Sequence, residues 1–401
     1  MKTIIILADG MADYPIEKFS GKTPLMAART QAIDRLCAQS RCGRLITVPE
    51  DLPPGSEIAN LAVLGYDARK VYQGRGVLEA ASMGVALTDR DLAMRCNIIC
   101  IENNKIKNHS SGHISSEESL QLVETLNETL SGPETRFHPG VSYRHLLVIK
   151  DGKNDFECTP PHDVPGTPFA QVMPRPKGEN SATAGLLTDL IIRSQDILET
   201  HPVNVKRKAL GKDPGNSIWP WSPGHRPQMK TFRELYHLSG AVISAVDLIF
   251  GIGVYAGLKV IKVPGATGLF DTNYEGKAQA ACQALCDLDF VFLHIEASDE
   301  AGHEGNAELK VRTIENLDQR IVKPIVAFTA AMNEPVTIAL LPDHATPCAL
   351  RTHTRDAVPF LIYRPGEKPD GISAFNEETT KQGSYGLLHG EEFMKALLRL
   401  A

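Results

Sequence analysis

No run of basic residues longer than Lys206-Arg207-Lys208 occurs in this 401-residue chain, and Asp plus Glu (48) outnumber Lys plus Arg (42), for a net charge of −6. The electrostatic footprint of a nucleic-acid binder is missing. A small anion would need a metal or a few placed arginines to be held. Membrane-length apolar runs are absent too, since the most apolar stretch, Ala241 to Val263, contains Asp247, Lys259 and Lys262. Behind Met1-Lys2, the apolar run Thr3 to Leu7 meets Asp9 too early for a signal peptide. Eight cysteines make no disulfide framework in a chain this long, and none form a C-x-x-C pair. Cys96/Cys100 and Cys282/Cys286 have the spacing of a helix face, so the cysteines read as reduced core residues of a cytoplasmic protein. Repeats and low-complexity tracts do not occur. With 42% apolar and 22% charged residues the composition is that of a folded globular protein.

At roughly 100–200 residues per domain, the length argues for two or three domains. Lys2 to Ala8 is β-branched-rich without alternation, the pattern of a buried parallel strand. Arg144–Ile149, Phe290–Ile295 and Val336–Leu341 read the same way. Ile314, Leu317, Ile321 and Ile325 recur at three or four residues within a helical stretch from about Glu308 to Ala330. Strands alternating with helices predict an α/β fold with a mostly parallel sheet flanked by helices. Thr159 to Asn180 and Gly211 to Gln228 are rich in Pro and Gly and read as loops. The second holds both tryptophans of the chain, in Trp219-Pro220-Trp221.

Ligands of such sheets sit at the carboxyl ends of strands. Acidic residues follow Ala8, Ile295 and Leu341 at those ends: Asp9, then Asp299 with His303, then Asp343 with His344. His353 comes shortly after, and Ser56 lies within Pro53-Pro54-Gly55-Ser56-Glu57. A mixed set of imidazoles and carboxylates suits Mn²⁺ or Zn²⁺, with Mg²⁺ less favoured. Asp299 and His303 are four apart, so one helical turn presents both on one face. Each feature also has a plainer reading. Asp9-Gly10 can end a strand, Ser56 can cap a helix, Asp343-His344 can lie in a surface loop, and His353 can be structural.

In chain order these segments resemble the alkaline phosphatase superfamily, and within it the cofactor-independent phosphoglycerate mutases of the archaeal type. The resemblance covers nearly the whole chain. It is carried by Asp9-Gly10-Met11-Ala12-Asp13, Gly55-Ser56-Glu57-Ile58-Ala59-Asn60-Leu61, Gly74-Arg75-Gly76, Arg95-Cys96-Asn97 and Pro264-Gly265-Ala266-Thr267-Gly268. Glu296-Ala297 leading to Asp299–His303, Asp343-His344-Ala345-Thr346-Pro347-Cys348 and His353-Thr354 complete it. It implies two divalent metal ions, Mn²⁺ first, with Zn²⁺, Mg²⁺ or Co²⁺ as alternatives. Asp299, His303 and His353 would hold one, and Asp9, Asp343 and His344 the other, with Ser56 as nucleophile and ligand to the second. The implied reaction interconverts 3-phosphoglycerate and 2-phosphoglycerate through a phosphoserine. Ligands lie before residue 60 and after residue 298, so the middle of the chain, about 70–235, is expected to be an inserted α/β or α+β domain that binds the rest of a small phosphorylated hydroxy acid. Neither nucleic acid nor membrane is an expected partner.

The insert departs from the mutases at two places. Arg144 in Tyr143-Arg144-His145 resembles a segment facing substrate and also reads as a solvated edge charge. His109 and His113, also candidate substrate residues, stand where an arginine-containing motif is expected. Asn216 to Gly224 brings tryptophans where arginine and glycine are expected, either to wall a pocket or to pack the insert. The lysine that assists serine deprotonation in the longer bacterial mutases has no evident counterpart. Such departures leave open a homoserine kinase-like phosphotransferase or a phosphomonoesterase, and from another class a metal-stabilised binding protein.

Overall fold

The computed structural model describes residues 2–400. The chain separates into two compact units, one running to Tyr72 and resuming at Met229, the other comprising Gln73–Gln228.

The first unit is built on an eight-stranded sheet. Its order is Lys259–Lys262, Gly240–Ser244, Phe290–Ile295, Lys2–Ala8, Val336–Leu341, Val358–Tyr363, Arg41–Ile46, Leu387–His389. The first five strands are parallel, and Val358–Tyr363 is antiparallel to both of its neighbours. The central strands are buried along almost their whole length, which is why their sequences are continuous apolar runs with no polar alternation. In register, Leu7 lies beside His294 on one side and Leu341 on the other. Asp9, Glu296 and Asp343 therefore leave the sheet at one edge. The expected helix is present as Ala307–Asn316 and Lys323–Ala330, joined without a break by a π-helical turn over Leu317–Val322. Pro324 explains the widening: in a regular helix its ring would strike the carbonyl four residues back, and a wider turn opens that contact.

The second unit is an antiparallel sheet in the order Lys105–Asn108, Leu92–Glu102, Arg144–Ile149, Thr135–His138, with Ser217–His225 paired to Leu92–Glu102. Helices Ser116–Thr129, Ala182–Glu199 and Pro202–Ala209 complete its core. Three expectations are corrected here. Arg144–Ile149, read as a parallel strand, is antiparallel to both of its neighbours. Part of the segment read as a loop is the Ser217–His225 strand, which accommodates Pro220 and Pro223 because Leu92–Glu102 is its sole partner among the described residues. Cys96 and Cys100 lie on a strand, where a spacing of four also keeps one face, whereas Cys282 and Cys286 do lie on the helix Tyr274–Asp287. All eight cysteines are free thiols, and Cys286 is exposed. Among the described residues no helix is long and apolar enough to cross a membrane.

Candidate active site

Asp9 follows the Lys2–Ala8 strand and is fully buried. One carboxylate oxygen, Oδ2, is 2.9 Å from His294 Nε2, while Oδ1 is buried without a hydrogen-bond partner. Gly10 has φ +61°, and a Cβ there would come within 2.5 Å of Asp299 Oδ1. Only glycine permits that approach. Asp343 accepts hydrogen bonds from the backbone of Gly10 (3.2 Å) and His344 (2.9 Å) at Oδ1, and from Asn60 Nδ2 (2.8 Å) at Oδ2.

Asp299 and His303 share the single short helix Ala297–His303, and His303 Nε2 lies 3.2 Å from Asp299 Oδ2. His353 Nε2 is 2.9 Å from His303 Nε2 and 3.5 Å from Asp299 Oδ1. Its ring stacks on His344 at 4.0 Å. Three sets of ligand atoms converge: Asp299, His344 and His353; Asp9, Asp343 and His344; and Asp9, Glu296 and Asp299. Asp343 and His344 are completely buried, so they do not sit in a surface loop.

Ser56 opens the helix Ser56–Val63 as its first residue, and Gly55 occupies the capping position. The capping expectation is thus corrected: the hydroxyl is turned away from its own helix and lies 3.1 Å from His344 Nε2. Asn60, one turn on, donates to both the Ser56 carbonyl and Asp343.

Crowding of carboxylates sets the electrostatics. Burial, and then the charges of Asp343, Asp299 and Glu296, push Asp9 well above the usual carboxylate range. Burial and the charges of Asp299 and Glu300 push Glu296 up to about 8. For Asp299 burial acts upward as well, but hydrogen bonds from His303 and His353 outweigh it and hold the carboxyl well below its ordinary value. His303 is correspondingly raised to about 9 by its bond to Asp299. Burial depresses His344 and takes His294 down to about 3.

In the second unit, Arg144 is exposed at the start of its strand, with its guanidinium 6.0 Å from the Tyr143 ring centre. His109 and His113 pack edge-on around the same tyrosine at 5.5 and 6.4 Å. The three candidate substrate residues therefore gather around Tyr143. Trp219 and Trp221 are buried, and Trp221 donates to Asn97 Oδ1 (3.0 Å) while its ring carries the Arg95 guanidinium at 4.6 Å. They pack the unit.

A family model described as 2,3-bisphosphoglycerate-independent phosphoglycerate mutase matches residues 37–204. Curated proteins of that name from Methanosarcina acetivorans and Methanosarcina mazei are 53% and 51% identical to the chain, each over the whole of both sequences. The chain belongs to this family. It is an isomerase of that kind, and the likeness extends to three dimensions. A solved protein from Pyrococcus horikoshii is 30% identical, with a TM-score of 0.84, over 100% of this chain and 98% of that one. The cofactor-independent phosphoglycerate mutase from Thermoplasma acidophilum is 27% identical, with a TM-score of 0.72, over 100% of both.

Within this mutase, sequence reading missed the residues that support the site. Glu296 could have been found, because it follows a buried strand as Asp9 does. Gly268 lies against it so closely that a Cβ would come within 2.7 Å of Glu296 Oε2. Asn60 and Thr346 are of residue types with no chemical signature of their own, and His294 lies within the buried apolar strand Phe290–Ile295, where it reads as core. His294 holds Asp9 from one side while its Nδ1 meets Ser244 Oγ at 3.1 Å.

Proposed function

We propose that the protein interconverts 3-phosphoglycerate and 2-phosphoglycerate by placing the phosphoryl group on Ser56 and returning it to the other hydroxyl of the same glycerate. The observation that carries this reading is the Ser56 hydroxyl, 3.1 Å from His344 at the edge of a buried Asp/His cluster.

The cluster fits divalent cations. Asp9 Oδ1 is buried without a partner, two imidazole nitrogens face one another at 2.9 Å, and four carboxylates crowd one strand edge. Such groups are costly to bury unless a cation pairs them. Asp299, His303 and His353 would hold one ion, and Asp9, Asp343 and His344, with Ser56, the second. Nitrogen and oxygen donors without thiolate favour Mn²⁺, with Zn²⁺, Mg²⁺ and Co²⁺ as alternatives. Bound there, the ions would supply Lewis-acid charge that favours the serine alkoxide and offsets charge on the phosphoryl oxygens.

The chain's own residues do the rest. Asn60 holds Asp343 and the Ser56 backbone in one geometry, so the hydroxyl has a fixed direction. Backbone N–H groups at the start of the Ser56–Val63 helix favour the transferred phosphoryl group. Arg144, with His109 and His113, supplies donors for the glycerate carboxylate, a task suited to a guanidinium fork. Water must be kept from the phosphoserine, because hydrolysis would turn the mutase into a phosphatase.

The test is a coupled assay on Mn²⁺-reconstituted protein. Conversion of 3-phosphoglycerate without added bisphosphoglycerate, with acid-stable phosphate trapped on Ser56, is the expected result. Release of inorganic phosphate alone, or phosphorylation of homoserine from a phosphoryl donor without conversion of 3-phosphoglycerate, would overturn it.

A further inference from the structure

Below the ligand-bearing loops lies a lysine that the proposed chemistry does not use. Lys310, on the helix Ala307–Asn316, is completely buried. Its Nζ donates to Asp13 Oδ2 (2.8 Å), to the Thr346 carbonyl (2.9 Å) and to the Ala12 carbonyl (3.1 Å). Three acceptors match the three donors of an ammonium. They come from two segments, the loop after Lys2–Ala8 that carries Asp9 and the loop after Val336–Leu341 that carries Asp343 and His344.

The same loops are also joined by Gly10 N, which donates to Asp343 Oδ1 at 3.2 Å. Ala345 forms isolated bridges with Met11 and Ala12, and Thr346 N donates to the Ala12 carbonyl at 3.2 Å. Asp13 completes the clamp by accepting from Cys348 N (3.1 Å) and Tyr14 N (2.7 Å). On its other side Thr346 reaches the site: its hydroxyl donates to Asp299 Oδ1 and lies 3.2 Å from His344 Nδ1. A fully buried ion pair is weak evidence for stability, because well-packed apolar residues of the same volume often do as well. The geometry gives this one another use.

We propose that Lys310 is a positioning residue, whose ammonium sets the spacing of the two loops at which Asp9, Asp343, His344 and, through Thr346, Asp299 converge on their ions. The inference rests on the metal reading above. Outer partners of this kind typically change metal affinity or activity by about 10–100-fold.

The test compares chelator-stripped wild type with Lys310→Met, the double variant Asp13→Asn/Lys310→Met and Thr346→Val. Mn²⁺ affinity, kcat, KM and Tm are measured for each. The double variant leaves no lone buried charge and should recover most of the Tm lost in Lys310→Met. It should still bind Mn²⁺ at least about tenfold more weakly, with kcat down by a similar factor and KM little changed. Thr346→Val keeps the carbonyl that Lys310 holds and should weaken Mn²⁺ binding in the same direction. Wild-type Mn²⁺ affinity and kcat in the double variant would reduce Lys310 to a counter-ion for Asp13. Should the double variant fail to fold, unchanged Mn²⁺ affinity in Thr346→Val would overturn the proposal instead. A wild-type protein that takes up no Mn²⁺ overturns the metal reading, and this inference with it.

Discussion

Ser56 and Asp343 sit one turn of helix and one hydrogen bond apart, yet their removal should have different consequences. Ser56→Ala deletes the hydroxyl at His344 Nε2 and leaves every Asp and His in place. We expect turnover to fall at least about 10³-fold while Mn²⁺ content and Tm stay near wild type, since the nucleophile is lost while six of the seven proposed ligands remain. Retention of more than a few per cent of activity would exclude the phosphoserine route. Asp343→Ala strips the acceptor from Gly10 N, His344 N and Asn60 Nδ2 at once. Each buried unpaired donor costs about 1–3 kcal/mol, so this variant should lose stability and Mn²⁺ affinity as well as rate, as calorimetry and thermal unfolding would show. The same contrast explains what could be read from the chain. Asp, His and Ser at strand ends announce chemistry by their type. The residues that orient them are Asn60, Thr346, His294 and Lys310, and only a folded chain shows which carboxylate each one touches. Ser56 was ambiguous because a serine behind Pro-Pro-Gly suits a cap. Gly55 takes the cap, and the hydroxyl is released.

Elements were legible where burial is two-sided. The strands Lys2–Ala8, Phe290–Ile295 and Val336–Leu341 are continuous apolar runs because neighbours cover both faces. Ser217–His225 was not legible, since its two prolines mimic a loop and its pairing is set by a strand more than a hundred residues away. Trp219 pins that strand: it is 1% exposed, with its indole N–H donated to the Thr159 carbonyl at 2.9 Å. Trp219→Ala should therefore cost about 3–5 kcal/mol, read as lost hydrogen-exchange protection along Leu92–Glu102. His145, on the Arg144–Ile149 strand, makes the same sheet acid-sensitive. Burial lowers its pKa to about 4, and its Nδ1 accepts from Gly140 N at 3.0 Å. The folded pKa lies below the ordinary value of about 6.5, so protonation favours the unfolded chain. The neutral imidazole's contribution is complete above about pH 6.5 and is lost as pH falls toward about 4, by up to about 3 kcal/mol. His145→Gln should flatten exchange-derived stability of these strands across that interval. An unchanged pH profile in the variant would assign the acid sensitivity elsewhere.

At the scale of the molecule, metal removal should not be felt evenly. The Asp/His cluster belongs to the unit running to Tyr72 and from Met229, and each unit has its own apolar core. An ion bound to the folded cluster stabilises by RT ln(1 + [L]/Kd), about 2.7 kcal/mol at a hundredfold excess over Kd. Without it, Asp9, Asp299, Asp343 and Glu296 face one another at a single strand edge, and two of them shift upward to shed charge. Chelator should abolish activity and lower the stability of the ligand loops, Asp9 to Asp13 and Asp343 to Cys348, which have few ladder bonds of their own. The five-stranded unit holds none of the seven proposed ligands. Its Leu92–Glu102 and Arg144–Ile149 strands should keep their exchange protection when the metal is withdrawn, and Mn²⁺ should restore the loops without altering those strands. Equal loss of protection in both units on chelation would mean that they unfold as one, and the effect of the metal could not then be assigned to the loops.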